Sequence, residues 1–360
     1  MKTLLVLEDG TYYVGKSFGE RSGTCGEVVF NTCMTGYQEI LTDPSYQGQI
    51  VVMTYPLIGN YGFNFEDNES FQPHIQGFVV RELCDMPSNW RNTGNPDQFF
   101  RKNHIVGLCD IDTRHLTQHI RDFGSMAGVI SSEEDDSPGN IRMLAAKARE
   151  TVAGQKDLVS RVSTGTGRHY AGNGLRIVIL DLGVKENIIR FLENTGCDIS
   201  VVPAATSWNS ILSLKPDGIL ISNGPGDPME IPYVVETVRS LIGKKPILGI
   251  CLGHQVLGLA LGGKTYKLKF GHHGGNQPVK SLRENRIHIT SQNHNYALRE
   301  DFSQDVEITH INLNDGTVEG FSCKKYPAIG IQFHPEASPG PSDSNKIFDK
   351  FLQLVSDACC

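Results

Sequence analysis

The sequence predicts an α/β protein in two unequal parts. Three observations carry that prediction. From Leu175 onward, continuous apolar runs alternate with amphipathic helical segments, the pattern of a mainly parallel sheet covered by helices on both faces. Before about residue 150, short strand-like runs mix with two helical ones, which indicates a smaller α/β domain. Between them, VAGQKDLVSRVSTGTGRHYAGNG is rich in Gly, Ser and Thr and has no sustained period. The expected organisation is therefore an N-terminal domain over 1–151, a linker over 152–174 and a larger domain over 175–360. At 360 residues the chain can bury two cores.

The N-terminal part opens with LLVLEDGTYYVG, two β-rich runs joined at Asp9-Gly10, a hairpin signal. EVVFNT, QIVVMTY and GFVVREL read as further strands and PDQFFRKN as a helix. HIVGLCD follows as a strand and DTRHLTQHIRDFG as a helix capped by Asp112. In the second part RIVILDLG is a buried strand, and VKENIIRFLENTG is a helix stopped by Gly196. DISVVPA, GILISNGPGDP and KPILGI continue the strands; SWNSILSLK, IPYVVETVRSLIG and HQVLGLALGG are helices. The tail turns β-like in RIHITSQ, VEITHINL and AIGIQF and closes on the helix SNKIFDKFLQLVSDA.

A formal charge of -7, with 39% hydrophobic and 20% charged residues, is that of an ordinary globular protein and argues against a nucleic-acid binder. No run of 18 apolar residues suggests a membrane span. Glu8 and Asp9 interrupt the first apolar run before a signal-peptide core could form. The nine cysteines (25, 33, 84, 109, 197, 251, 323, 359 and 360) are odd in number and scattered, which reads as reduced thiols in a cytoplasm.

One cysteine stands apart. GICLGHQ places Cys251 between Gly249 and Gly253 where a strand turns into a helix, the logic of a nucleophile elbow. The glycines remove side chains that would clash in a tight turn, and the helix N-terminus favours the reactive thiolate. A base and an orienting group are then needed. QFHPEASPG supplies His334 and Glu336, two apart, so both side chains leave one side of an extended segment. Pro335 cannot donate to a sheet ladder, which places the pair at a strand end or edge. In SNGPGDP, Gly224 and Gly226 let backbone approach a substrate closely. One donor from this loop, with the amide of Leu252, can form an oxyanion hole.

These three motifs, in this order, resemble a class I (triad-type) glutamine amidotransferase domain. The likeness extends through GEVVFNTCMTGYQEILTDPSY, TYPLIGNYG and DIDTRHLT in the first half, and KFGHHGGNQPV, TSQNHNYAL and HPEASPGP in the second. Together they resemble the small, glutamine-hydrolysing subunits of carbamoyl-phosphate synthetases over nearly the whole chain. The resemblance implies Cys251 as nucleophile with His334 and Glu336 as partners, and Leu252 and Gly224 as oxyanion donors. It further implies glutamine contacts at Ser45, Gly224, Gly226, Leu252, Gln255, Asn293, Asn295 and Tyr296. Ser45 comes from the other domain, which would put the site in an interdomain cleft. Family members often have glycine where this chain has Asn295.

The same resemblance implies L-glutamine as substrate and a large, ATP-using subunit as partner, in a heterodimer or a higher oligomer. That subunit makes carbamoyl phosphate from ammonia delivered through an internal passage, in pyrimidine or arginine synthesis. No cofactor is expected on this chain; ATP and Mg²⁺ belong to the large subunit. GLALGGKT, 258–265, matches the P-loop pattern formally, but that pattern needs a strand before it and a helix after it. Adjacent His272 and His273 lack metal-ligand spacing, so no metal is expected. Two other classes compete: a catalytically idle scaffold that regulates a synthetase, against which the intact Cys251, His334 and Glu336 argue, and a stand-alone cysteine hydrolase such as a peptidase.

Overall fold

The computed structural model describes residues 2–132, 135–302 and 304–359. It divides into two compact units, 1–156 with 269–273, and 157–268 with 274–360.

In the first unit, β1 (Lys2–Leu7) and β2 (Tyr12–Gly19) form the expected hairpin. Gly10 takes φ 89°, a turn conformation that a side chain disfavours. β3 (Thr24–Asn31) and the helix α1 (Tyr37–Thr42) follow, then β4 (Gln49–Met53), β5 (Leu57–Ile58), β6 (Gly77–Val79) and β7 (Glu82–Leu83). α2 (Pro96–Lys102), β8 (Val106–Cys109), α3 (Thr113–Phe123), β9 (Met126–Ser131) and α4 (Pro138–Ala153) complete the unit. Asp112 caps α3 as expected, accepting the His115 amide at 2.9 Å. Seven strands close into a barrel in the order β1-β2-β8-β6-β4-β3-β9. Leu5, Leu7, Val28, Ile50, Val52, Val79, Leu108 and Ile130 fill one core with Leu116 and Ile120 of α3. A second core packs α1 and α2 on the outer face, and a third packs α4 there. The helix α4 and the barrel closure go beyond the sequence reading.

The second unit holds α5 (Val159–Val162), β10 (Arg168–Tyr170), β11 (Arg176–Asp181), α6 (Glu186–Asn194), β12 (Asp198–Pro203) and α7 (Trp208–Ser213). β13 (Gly218–Ile221), α8 (Pro232–Leu241), β14 (Ile247–Ile250), α9 (Leu252–Ala260) and β15 (Thr265–Ser281) come next. β16 (Arg286–Leu298), β17 (Val306–Asn312), β18 (Val318–Cys323), β19 (Ala328–Ile331) and α10 (Lys346–Cys359) end the chain. They form a ten-stranded open sheet in the order β10-β12-β11-β13-β14-β19-β18-β17-β15-β16. The five strands β12, β11, β13, β14 and β19 run parallel to one another. Alternation splits them cleanly: Val178 and Leu180 face a core covered by α7, α8 and α9, while Ile177 and Ile179 face one covered by α6 and α10.

The stretch expected as a linker is corrected in part. From residue 157 it packs into the second unit: Val159 is buried in the core, β10 pairs antiparallel with β12, and the Thr164 amide donates to Asp181 Oδ2 at 2.8 Å. Few apolar residues and several turn formers hide a three-residue edge strand from any periodicity argument. At 258–265 the chain runs helix, turn, strand, with Gly262 at φ 90° between α9 and β15, which is the reverse of a P-loop.

The eight described cysteines are free thiols; Cys360 lies outside the described residues. Among the described residues no helix is long and apolar enough to cross a membrane. Ile50 is wholly buried in the barrel interior, so Ile50→Ala should cost about 2–5 kcal/mol. The midpoint of chemical denaturation checks this.

Candidate active site

Four neighbouring parallel strands deliver the site, at their carboxyl ends, where such sheets place ligands. β14 ends at Ile250 and Cys251 follows with φ 54° and ψ -107°, a strained conformation for a residue with a side chain. Close packing enforces the turn. A Cβ on Gly249 would lie 2.5 Å from the Gly253 carbonyl oxygen, and one on Gly253 would lie 2.1 Å from the Ile221 oxygen. Both flanking glycines are therefore required by backbone contacts that cannot yield. Cys251 is 1% exposed.

β19 lies beside β14 with Ile331 opposite Ile250, and the Cys251 amide donates to the Ile331 carbonyl at 2.8 Å. Past the strand the chain bends at Gln332 and Phe333, bridges to β16 at His334 and turns at Pro335 and Glu336, where the Ala337 amide donates to the His334 carbonyl at 3.2 Å. His334 donates its amide to Ser291 on β16 at 2.9 Å, which fixes the backbone under the ring. Its Nδ1 meets Glu336 Oε1 at 2.6 Å; the pairing is the expected one, but a turn at Pro335 and Glu336, not an extended segment, brings the two side chains together. The imidazole is buried. Burial is the largest influence on it and opposes a charge, but Glu336 and the Cys251 sulfur outweigh burial and raise its pKa well above the ordinary value. The interaction with sulfur is mainly electrostatic here, because Nε2 makes no hydrogen bond within ordinary distance and angle limits. Glu336 shows the converse. Burial pushes its pKa up, and Lys185 and His334 together bring it well below the usual carboxylate range.

Lys185 escaped the sequence reading. It follows β11, and its ammonium lies 3.1 Å from Glu336 Oε1 and donates to the Ala337 carbonyl at 2.6 Å. Its side chain is only 2% exposed. A lysine just before a helix normally reads as a solvated charge; only the fold shows that it points into the sheet end. Gln332 was missed too. Its amide Nε2 is 3.8 Å from Cys251 Sγ. The polar residues 332, 334 and 336 recur with period two, the one signal that could have found it.

The remaining predicted residues of this unit gather around the same strand ends. Leu252 is the first residue of α9, where a backbone N–H has no intrahelical acceptor. Gly224 follows β13 so closely packed that a Cβ would lie 2.1 Å from the Leu182 oxygen and 3.0 Å from a Leu252 methyl. Gly226 takes φ 87° two residues on. Gln255 donates through Nε2 to the Tyr296 carbonyl at 2.7 Å and to Gln332 Oε1 at 3.0 Å. The Cys251 thiol donates to the Asn293 carbonyl at 3.5 Å. Asn295 lies inside β16, so a backbone contact there needs no left-handed conformation. His294 engages Tyr296 O through Nδ1 at 2.7 Å and Gln292 Oε1 through Nε2 at 2.8 Å, and so is packed in place. Ser45 belongs to the first unit, in a short 3₁₀ turn where its amide donates to Asp43 Oδ1 at 2.9 Å.

This fold and this cysteine–histidine–glutamate array define a class I glutamine amidotransferase domain, and a family model of that description matches residues 178–354. A second family model, the CPSase domain of carbamoyl-phosphate synthase small chains, matches residues 5–130. The carbamoyl phosphate synthase small chain of Syntrophotalea carbinolica is 51% identical, covering 99% of this chain and 98% of that one. That of Bacillus caldolyticus is 49% identical over 99% and 97% of the two chains. The pyrimidine-specific small chain of Bacillus subtilis is 48% identical over 99% and 96%. The chain belongs to the carbamoyl-phosphate synthase small-chain family.

Because Glu336 is depressed in the folded state, its stabilising effect is present above about pH 4.3 and is lost as pH falls through the depressed value. Glu336→Gln should therefore destabilise the protein at pH 7, and the gap to wild type should close in acid. Denaturation midpoints across pH 3–8 measure it; a gap that widened below pH 4 would contradict the charge assignment.

Proposed function

We propose that this chain hydrolyses L-glutamine to glutamate and ammonia for a large carbamoyl-phosphate synthase subunit. The observation that carries the reading is the 2.6 Å His334–Glu336 contact just past the end of β19, the strand beside the Cys251 turn. The Cys251 thiolate attacks the side-chain amide carbon of glutamine. The backbone amides of Leu252 and Gly224 receive the developing oxyanion, and loss of one such donor typically costs about 100- to 1,000-fold in rate. His334 protonates the leaving nitrogen, ammonia departs and a glutamyl thioester remains. Water then attacks the thioester with His334 as base, which releases glutamate and restores the thiol. Glu336 orients the imidazole and stabilises its cation.

Substrate contacts come from Gln255, Asn293, Asn295, Tyr296 and Gly226, and the family resemblance implies a further one at Ser45. Both hydrogens of the Gln255 amide are already committed, which leaves its oxygen to receive a substrate donor.

Free ammonia is mostly protonated near neutral pH and then is no nucleophile, so it passes directly to the large subunit through an enclosed route. ATP, Mg²⁺ and bicarbonate are handled there, and the pair works in the cytoplasm, in pyrimidine or arginine synthesis. The reversed order of helix and strand at 258–265 supports placing ATP on the partner.

In the complex, Cys251→Ser should abolish glutamine-dependent carbamoyl phosphate synthesis and leave ammonia-dependent synthesis intact. Equal loss of both would refute the division of labour, and a wild-type complex that released no glutamate would favour an idle scaffold. Lys264→Ala should leave ATP consumption unchanged, and direct nucleotide binding to the isolated chain would contradict the dismissal of its P-loop match.

A further inference from the structure

Gln332 has no part in the triad, yet its side-chain amide lies 3.8 Å from the sulfur. It follows β19 directly, level with Cys251 at the end of β14, and is 0% exposed. Its backbone amide is fixed by the Glu319 carbonyl at 2.9 Å. The orientation of its side-chain amide is also determined. Gln255 Nε2 has two hydrogens, and its two acceptors are the Tyr296 carbonyl and Gln332 Oε1. The oxygen of Gln332 must therefore face Gln255, which turns the NH₂ group toward Cys251 Sγ at 3.8 Å.

The other polar neighbour of the sulfur has the opposite character. The Asn293 carbonyl, 3.5 Å away, accepts only. It suits a neutral thiol, which can donate to it, and repels a thiolate, which cannot. The Gln332 amide donates only through its NH₂ and suits the anion. The two groups thus sort the two states of the nucleophile: the thiol turns toward Asn293, and the anion toward Gln332 and the His334 imidazolium. In so dry a setting, a hydrogen bond to a charged acceptor is worth more than one to a neutral group.

We infer that Gln332 is a catalytic residue that holds the Cys251 thiolate through its side-chain amide, with Gln255 as the positioning residue that sets the direction of that amide. The inference rests on Cys251 being the glutaminase nucleophile. It adds a route by which substrate contact reaches the sulfur, because Gln255 bonds Gln332 while offering its own oxygen to the substrate.

Alkylation tests this independently of turnover. The complex of this chain with its large subunit is treated with iodoacetamide across pH 5–10, and modification of Cys251 is followed by peptide mass spectrometry. Gln332→Leu should move the midpoint of the alkylation profile up by about one pH unit, the size expected for loss of one hydrogen bond to a charged group. Gln332→Glu, nearly isosteric, should move it further by placing an acceptor and a negative charge against the sulfur. Gln255→Glu should move it in the same direction, because it can no longer hold the Gln332 oxygen. Ammonia-dependent synthesis reports that each variant is folded and assembled. An unchanged profile in folded Gln332→Leu or Gln332→Glu would overturn the inference, even if glutaminase activity fell. A wild-type complex inactive on glutamine, with the shifts still present, would instead refute the glutaminase reading and leave the amide–sulfur contact standing.

Discussion

The site depends on one backbone constraint, the close parallel pairing of β14 with β19. The Cys251 amide is tied to the Ile331 carbonyl at 2.8 Å, so Cys251 and the segment carrying His334 and Glu336 are held in one register. A slip of one residue between β14 and β19 would displace Gln332 from its place level with Cys251 and bring Phe333 there instead. The buried residues of both faces oppose such a slip, because it would move side chains fitted to one core into the other and lose their packing. Core packing and catalytic geometry are thus the same requirement, met at the same strand pair.

The strain at Cys251 follows from that requirement. A left-handed turn at a residue with a side chain costs of order 1–3 kcal/mol and persists only where the surroundings over-determine it. Here they do: α9 sits so close to β13 and β14 that neither Gly249 nor Gly253 could carry a Cβ. The helix therefore starts immediately after the sulfur-bearing residue, and the amide of Leu252 remains available beside it.

Much of this was legible in the sequence because it is local. The two-residue spacing pointed to the His334–Glu336 pair, although a turn makes it, the Gly-x-Cys-x-Gly spacing placed the elbow, and continuous apolar runs gave the parallel strands. What was hidden depends on the third dimension. Lys185 looks like any charged residue before a helix, and only the arrangement of β11 beside β13 brings its ammonium to Glu336. The barrel of the first unit was equally hidden: its strands were visible singly, but closure is set by which edges meet. The stretch after residue 157 gave no period because an edge strand of three residues is too short to show one.

Lys185 changes the electrostatic account of the array. A buried carboxylate is costly unless cations offset it, and here two do, both at Oε1. With Lys185 the charges alternate: ammonium, carboxylate, imidazolium and, when Cys251 ionises, thiolate. The far end is anchored by the Ala337 carbonyl, a donor–acceptor contact that holds the lysine without adding charge. Glu336 therefore meets both cations at Oε1, which explains why its pKa falls although burial alone would raise it. The carboxylate can then favour the imidazolium without taking its proton, and the proton stays on the ring, as the proposed reaction requires.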